Sequence, residues 1–158
     1  MSASQGTSAG AASIIRCPNC QKKNRVRPER RGTPRCAACH EPLPWLVSAG
    51  AESFDDEARA SVPVLVDLWA PWCGPCRMME PTLEQLARDR AGRLKIVKVN
   101  VDDSPAIAQR YQVHGIPLLV LLRDGGELAR MAGAAPAPAL RAWLDAQLGG
   151  DGADGDGR

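Results

Sequence analysis

The six cysteines of this 158-residue chain form three Cys-x-x-Cys pairs: Cys17/Cys20, Cys36/Cys39 and Cys73/Cys76. Thiols at this spacing serve metal binding or dithiol–disulfide exchange. A disulfide-stapled scaffold is excluded, because such chains carry roughly 8–10% cysteine. We therefore expect a cytoplasmic protein that keeps its cysteines reduced for metal or redox chemistry.

Cys73 and Cys76 stand where a predicted buried strand, residues 62–69, passes into a predicted amphipathic helix. A thiol at a helix N-terminus faces unsatisfied N–H groups and the positive end of the helix dipole, which favour its thiolate. This placement predicts Cys73 as an attacking nucleophile and Cys76 as the thiol that resolves the mixed disulfide. The alternative role, half of a metal site, is less favoured in this setting.

The two N-terminal cysteine pairs are separated by 15 residues, which is a zinc-ribbon spacing. Each pair can form a knuckle with two sulfurs, and two knuckles complete a tetrahedron around Zn²⁺. Residues 14–43 carry too few apolar side chains to fold around a core of their own. We therefore expect one zinc ion to hold this module together, a contribution of about 10–16 kcal/mol in comparable peptides. The alternatives are His40 as a substitute ligand and a disulfide framework.

The N-terminal module is strongly basic, with eight basic and two acidic residues between positions 14 and 45. The basic residues are Arg16, Lys22, Lys23, Arg25, Arg27, Arg30, Arg31 and Arg35. Their charge would offset the formal −2 of four thiolates around Zn²⁺. Three hypotheses follow for the module: it modulates substrate access to Cys73, it senses oxidants by releasing zinc, or it docks on nucleic acid or an acidic protein. A nucleic-acid partner is the least favoured, because the charge is confined to one part of the chain.

Beyond Pro44, strand and helix signals alternate in the order β-α-β-α-β-α-β-β-α. Strands are predicted at residues 45–47, 62–69, 94–101, 118–122 and 127–131, and the last helix at 138–148. Asp67 interrupts the second of these strands and is predicted to be buried. A parallel βαβ half joined to a ββα half gives an α/β fold with a central mixed sheet and helices on both faces.

Local signals refine these elements. Ser53 with Asp56 has the spacing of a helix capping box, and Pro81 predicts a kink in the helix that follows Cys73. Asp124-Gly125-Gly126 predicts a hairpin turn, and Met78 and Met79 are expected to fill the core. Residues 1–13 and 149–158 are predicted to be flexible tails. No apolar run approaches the roughly 20 residues needed to span a bilayer, so we expect no membrane partner.

The segment Val66-Asp67-Leu68-Trp69-Ala70-Pro71-Trp72-Cys73-Gly74-Pro75-Cys76, together with Gly115-Ile116-Pro117, resembles the thioredoxin family. The resemblance covers residues 44–148 in the expected order. It implies the thioredoxin fold and a protein-disulfide reductase activity. It also implies disulfide-containing proteins as substrates and regeneration by a thioredoxin reductase. The chain departs from the family pattern at Leu118, where Thr is usual, and at Pro71, where an acidic residue is common.

The resemblance assigns roles residue by residue. It makes Cys73 the nucleophile and Cys76 the resolving thiol, with Asp67 as the buried acid/base behind Cys76 and Lys98 as the lysine near that aspartate. A carboxyl among valines and leucines is desolvated, so its pKa should rise and suit it to this task near neutral pH. A purely structural carboxylate and a solvated lysine are the alternatives. The resemblance also makes Pro117 the cis-proline beside the dithiol, with Ile116 offering backbone hydrogen bonds to the substrate. From the residues themselves we expect Gly133 to complete a flat, apolar docking rim with Trp72, Gly74 and Pro75.

The N-terminal cysteines resemble the zinc-binding module found in a two-domain class of bacterial thioredoxins. We therefore predict a zinc-binding module at 14–43, with Cys17, Cys20, Cys36 and Cys39 as ligands, followed by a thioredoxin domain at 44–148. No tightly bound organic cofactor is expected. The alternative function is an oxidant-responsive zinc sensor, or a binding or chaperone-like protein, with an attached thioredoxin domain.

Overall fold

The computed structural model of the protein describes residues 12–27 and 32–157, with side chains up to residue 149. The predicted N-terminal tail, residues 1–13, lies outside the described residues except for Ala12 and Ser13. The described strands form a two-stranded sheet near the N-terminus and a five-stranded sheet in the rest of the chain. Among the described residues, no helix combines the length and apolar character that a bilayer crossing requires.

The N-terminal module is built on a β-hairpin. Strands β1 (Ser13–Arg16) and β2 (Lys23–Val26) pair antiparallel. Ile15 and Val26 point inward and are buried in the same hydrophobic cluster as Trp45. The few apolar side chains of this module therefore contribute to the core of the larger domain rather than to a separate core.

The five-stranded sheet has the predicted mixed topology. Its strands are β3 (Leu46–Ala49), β4 (Val64–Trp69), β5 (Lys95–Asn100), β6 (Leu118–Arg123) and β7 (Gly126–Ala132). The spatial order is β3-β5-β4-β6-β7, in which β3, β5 and β4 are parallel and β6 and β7 are antiparallel to their neighbours. The β6–β7 turn contains Asp124 and Gly125 at φ values of 54° and 84°, as a tight hairpin turn requires.

Helices lie against both faces of this sheet. They are α1 (Phe54–Glu57), α2 (Gly74–Met78), α3 (Glu80–Asp89), α4 (Pro105–Arg110) and α5 (Ala137–Gly157). Alternating residues of β4 serve two separate core clusters, because successive side chains of a strand point to opposite faces. Val66 and Leu68 join the cluster that contains Phe54, whereas Leu65 joins the cluster that contains Leu83. The predicted α/β architecture is confirmed.

Several local predictions need correction. The Ser53 hydroxyl accepts a hydrogen bond from the N–H of Gly50, 3.1 Å away, and makes no capping bond to α1, so the predicted capping box does not form. Met79 is buried as expected, but Met78 is 78% exposed, since consecutive residues of a helical turn point about 100° apart. Helix α5 continues past its predicted end at Leu148, since Gly149 does not adopt the left-handed conformation that terminates many helices.

Candidate functional site

The dithiol sits at the junction of β4 and α2. The N–H of Cys73 donates to the carbonyl of Ala70, 3.1 Å away, and this turn ends the extended chain. Cys73 is the N-cap residue of α2, and its sulfur accepts a hydrogen bond of 3.2 Å from the N–H of Cys76. Pro75 lies in the first turn, where its missing N–H leaves no intrahelical bond unmade. The sequence thus directs a helix-terminal N–H group onto the Cys73 sulfur.

Cys73 and Cys76 form a disulfide bond, and their Cα atoms are 5.3 Å apart. Both residues are buried, with 4% and 2% exposure. They pack in a small cluster with Ala70, against which Trp69 and Ile116 also pack. The carbonyl oxygen of Ile116 is 3.9 Å from the Cys73 sulfur. The structure therefore represents the oxidised form of the pair.

The surface around the dithiol brings together residues from separate parts of the chain. Trp72 is 70% exposed, and its indole Nε1–H donates to Asp102 Oδ2 at 2.8 Å. The Ile116–Pro117 peptide bond is cis. The N–H of Gly133 donates to the carbonyl of Pro117 at 2.9 Å, and its φ of 88° lies in the region that favours glycine. Gly74 and Pro75 complete this exposed rim on the helix side.

Asp67 is buried in β4, with 2% exposure, and lies opposite Lys98 in the parallel register of β4 and β5. Burial raises the pKa of Asp67 to about 6, while the positive charge of Lys98 lowers it and the negative charge of Glu80 raises it. The ammonium of Lys98 lies 3.2 Å from Glu80 Oε2 and 4.5 Å from the centroid of the Trp69 ring. The structure thus brings Asp67 and Lys98 together, as the sequence predicts, and adds Glu80 to them.

The four N-terminal cysteines form a compact cluster of donors. Their sulfur atoms all lie within 4.8 Å of one another. Cys17 and Cys39 are 3.6 Å apart at sulfur, and Cys20 and Cys36 are 3.5 Å apart. A tetrahedron with Zn–S bonds of about 2.3 Å has edges of about 3.8 Å, so the observed spacing fits a four-sulfur metal site. His40 is not a member of this group among the described residues.

The two knuckles are built in the same way. In each, the N–H of the first cysteine donates to the carbonyl five residues later, and its own carbonyl accepts from the N–H four residues later. The fifth residue of each knuckle, Gln21 or His40, has a positive φ of 71° or 68°. The arginine before each knuckle donates to the carbonyl of that residue: Arg16 to Gln21 and Arg35 to His40. The four sulfurs are thus positioned by a repeated local structure.

Nearby N–H groups are directed at the sulfurs. The Ala38 N–H donates to Cys36 Sγ at 3.4 Å, and the Asn19 side-chain amide donates to Cys39 Sγ at 3.4 Å. The backbone N–H of Cys39 is the main cause that lowers the pKa of Cys36 to about 6. Asn19 is the main cause that lowers the pKa of Cys39. These donors favour the thiolate at Cys36 and Cys39, which is the form in which cysteine binds metals. At Cys20 the Lys22 backbone lowers the pKa, but hydrogen bonds with the neighbouring sulfurs and burial outweigh it and raise the pKa to about 11.

Comparison with known proteins decides the family of the chain. The thioredoxin family model matches residues 46–146. The chain belongs to the thioredoxin family. It is 44% identical over 104 residues to thioredoxin from Pseudomonas aeruginosa, a match that covers 65% of this chain and 96% of that protein. It is 44% identical over 90 residues to thioredoxin 1 from Synechococcus elongatus, which covers 57% of this chain and 84% of that protein.

A third thioredoxin matches more of the chain. Thioredoxin C-3 from Corynebacterium nephridii is 37% identical over 139 residues, covering 85% of this chain and 95% of that protein. A match to 85% of the chain is longer than the whole segment that follows Leu43, so it extends into the N-terminal module. As a thioredoxin with a Cys73–Cys76 disulfide, the chain is a protein-disulfide oxidoreductase.

Three polar residues of this thioredoxin make contacts that were not predicted from the sequence. Glu80 binds Lys98, and its signal was its position four residues after Cys76 in a predicted helix, where side chains share a face. Asn24 is buried in β2, and its Oδ1 accepts a hydrogen bond from the N–H of Ala37, joining the hairpin to the second knuckle. Asp102 binds the Trp72 indole, and no pattern in the sequence pointed to this contact.

Proposed function

We propose that this thioredoxin reduces disulfide bonds in other proteins with its Cys73/Cys76 dithiol and is itself regenerated by a thioredoxin reductase. One observation carries the proposal: the Cys73 sulfur sits at the start of α2, where it accepts the N–H of Cys76. A hydrogen bond to sulfur favours the thiolate over the thiol, and the thiolate is the nucleophile in disulfide exchange.

The reaction proceeds in two displacements. The Cys73 thiolate attacks one sulfur of the substrate disulfide, which forms a mixed disulfide and releases the first substrate thiolate. The Cys76 thiol loses its proton, and its sulfur attacks Cys73, which releases the second substrate thiolate and leaves the Cys73–Cys76 disulfide. The substrate gains two electrons and the enzyme dithiol loses two. The reductase returns these electrons in the reverse exchange.

Asp67 is proposed as the base that takes the proton of Cys76. Its carboxyl is desolvated, and burial raises its pKa to about 6, so it can bind a proton close to neutral pH. The carboxyl lies on the strand that ends at Trp69, which packs against the dithiol cluster. Lys98 faces Asp67 from β5 and moderates this proton affinity.

The rim around the dithiol is proposed to bind an extended segment of the substrate. The proposed contact residues are Trp72, Gly74, Pro75, Ile116, Pro117 and Gly133. Gly74, Pro75 and Gly133 are exposed and leave their backbone open. The exposed Trp72 ring offers an apolar surface, and its indole N–H is bonded to Asp102. A flat apolar rim of this kind suits transient contact with many exposed disulfide segments.

The N-terminal module is proposed to bind one Zn²⁺ through Cys17, Cys20, Cys36 and Cys39. The four-sulfur donor set and the sulfur spacing support zinc, for which four cysteine thiolates are one of the common ligand sets of structural sites. When bound, the ion supplies a cross-link between the two knuckles. The repeated backbone hydrogen bonds and the hydrogen bond between Ala37 and Asn24 support this role, because they hold the two knuckles against each other.

The position of the module favours a structural role over direct cover of the dithiol. Pro42 packs closely on the backbone of Gly92. A Cβ atom placed on Gly92 would lie 3.2 Å from the Cβ atom of Pro42. The Trp45 ring lies 4.5 Å from the ammonium of Lys95, the first residue of β5. The dithiol cluster packs instead with Val101, just beyond the last residue of β5. A strand of this length spans about 17–20 Å. The segment that leads out of the module, at the start of β5, is therefore well separated from the dithiol cluster beyond the end of β5.

A coupled assay tests the proposed reaction. The full chain, a bacterial thioredoxin reductase and NADPH are combined with insulin as the disulfide substrate, and NADPH consumption is followed. We expect sustained turnover by the natural sequence and a loss of at least about 100-fold in Cys73→Ser, since the nucleophile is absent. Sustained turnover by Cys73→Ser would contradict the proposed mechanism.

A further inference from the structure

Glu80 is a carboxylate that the proposed exchange chemistry does not use, yet it is ion-paired to the lysine opposite Asp67. Its Oε2 lies 3.2 Å from Lys98 Nζ. Glu80 is the first residue of α3, directly before Pro81 and just after the break that separates α3 from α2. The break thus brings an acidic side chain from the helix layer to the strand that carries Lys98.

Lys98 is held by Glu80 rather than by Asp67. Its side chain is only 13% exposed, while that of Glu80 is 39% exposed. The ammonium also lies over the Trp69 ring, 4.5 Å from the centroid. Among the described residues, the hydrogen bond that Lys98 donates goes to Glu80, and none goes to Asp67. The positive charge next to Asp67 is therefore shared with a second carboxylate.

The charged surroundings of Asp67 come from few elements. Strand β5 contributes Lys98, strand β6 presents Leu119 opposite Asp67, and helix α3 contributes Glu80. Helix α2 carries Cys76, the thiol whose proton Asp67 is proposed to accept. The negative charge of Glu80 opposes the effect of Lys98 and raises the pKa of Asp67.

We propose that Glu80 is a positioning residue that pairs with Lys98 and so keeps this lysine from fully neutralising Asp67. Asp67 then remains able to accept the Cys76 proton near neutral pH and to pass it to solvent. Glu80 contacts neither the sulfurs nor the substrate in this scheme. The inference rests on the proposed function, because it presupposes Asp67 as the base.

The direct test measures the titration of Asp67. The carbon-13 shift of its carboxyl is followed against pH by NMR in the oxidised full chain, for the natural sequence and for Glu80→Gln. We expect the midpoint to fall by about half a pH unit in Glu80→Gln, because Lys98 then acts on Asp67 without a competing carboxylate. Glu80→Asp keeps the negative charge, so the Asp67 midpoint in this variant is expected to lie close to that of the natural sequence.

Glu84→Gln is the matched control. Glu84 lies one turn further along α3, is exposed, and makes no ion pair within the described part of the chain. It is expected to leave the Asp67 midpoint unchanged. An unchanged midpoint in Glu80→Gln, or an equal shift in Glu84→Gln, would overturn the inference.

Kinetics separate this inference from the proposed function. The rate of insulin reduction is measured against pH for Glu80→Gln and Asp67→Asn. We expect the acidic limb of the profile to move to lower pH in Glu80→Gln and to disappear in Asp67→Asn. If Asp67→Asn removes the limb while Glu80→Gln leaves its midpoint in place, only the role of Glu80 fails. If Asp67→Asn keeps the limb, the proposed role of Asp67 fails as well.

Discussion

Lys95 and Glu57 form an ion pair inside the protein, with 2.7 Å between Nζ and Oε1. The side chains are 0% and 6% exposed. The ammonium also lies over the Trp45 ring, directly after the N-terminal module. Desolvation lowers the pKa of Lys95, and its bond to Glu57 opposes this effect. A buried charge pair of this kind joins α1, β5 and the segment that leads out of the module.

Removing one member of this pair is expected to be costly. Glu57→Gln leaves the buried ammonium of Lys95 without its counter-charge, and breaking such a pair typically costs about 3–5 kcal/mol. Urea denaturation of the oxidised chain measures the free energy of unfolding. Glu52→Gln, an exposed glutamate just before α1, is the control and is expected to change stability by less than about 0.5 kcal/mol. Equal stability of Glu57→Gln and the natural sequence would show that the pair is not strongly coupled to folding.

Asp67→Asn is expected to change how stability depends on pH. Burial raises the pKa of Asp67 from 3.8 to about 6, so the folded state holds this proton more tightly than the unfolded state. The resulting stabilisation is present below the unfolded value and is lost as pH rises through about 6. Asparagine does not ionise, so Asp67→Asn avoids this loss of stability. Relative to the natural sequence, the free energy of unfolding of the variant should be about 3 kcal/mol higher at pH 8 than at pH 3.

Urea denaturation at these two pH values, on the oxidised chain, measures this difference. Asp124→Asn is a suitable control, because Asp124 is an exposed turn residue with positive φ, which asparagine tolerates. If both substitutions gave the same pH dependence, desolvation of Asp67 would not be the cause.

The zinc proposal is tested by bound metal. The purified full chain is expected to contain one Zn²⁺ per molecule, measured by plasma emission spectroscopy. Cys20→Ser should lose the metal and lower the melting temperature, because a bound ion stabilises only the folded module. Insulin reduction should stay within about twofold at 25 °C, since the dithiol lies away from the segment joining the module to the domain.

His40→Asn is the matched control for the zinc site. It keeps a residue that tolerates the positive φ of this position, and it removes the histidine that follows Cys39 as an alternative ligand. Zinc should remain at one per chain in this variant. Loss of zinc in His40→Asn, or its retention in Cys20→Ser, would contradict the four-cysteine site.

Much of the fold followed from local patterns. The valine- and leucine-rich strands were predictable because their apolar runs are bounded by turn and helix signals, and the Asp67 position was predicted to be buried for the same reason. The hairpin at Asp124 and Gly125 was readable because few residues other than glycine and asparagine-like ones adopt positive φ. Features encoded by a short stretch of chain were therefore predicted well.

Several features that depend on contacts between distant parts of the chain were not predicted. Lysines usually lie on the surface, yet the fold buries Lys95 against Glu57, which lies 38 positions earlier in the chain. Glu80 and Lys98 meet only because the helix break and the strand register bring them together. The Ser53 hydroxyl accepts the N–H of Gly50 instead of capping α1, because a serine side chain can bond to nearby backbone groups in a turn as well as at a helix start.

The central claim is that Cys73 attacks and Cys76 resolves. The most direct measurement is mass spectrometry of Cys76→Ser after incubation with a disulfide-bonded substrate, followed by peptide mapping. We predict a stable mixed disulfide between the substrate and Cys73, because the resolving thiol is absent. The account is contradicted if no adduct accumulates on Cys76→Ser, or if the substrate is attached to a cysteine other than Cys73.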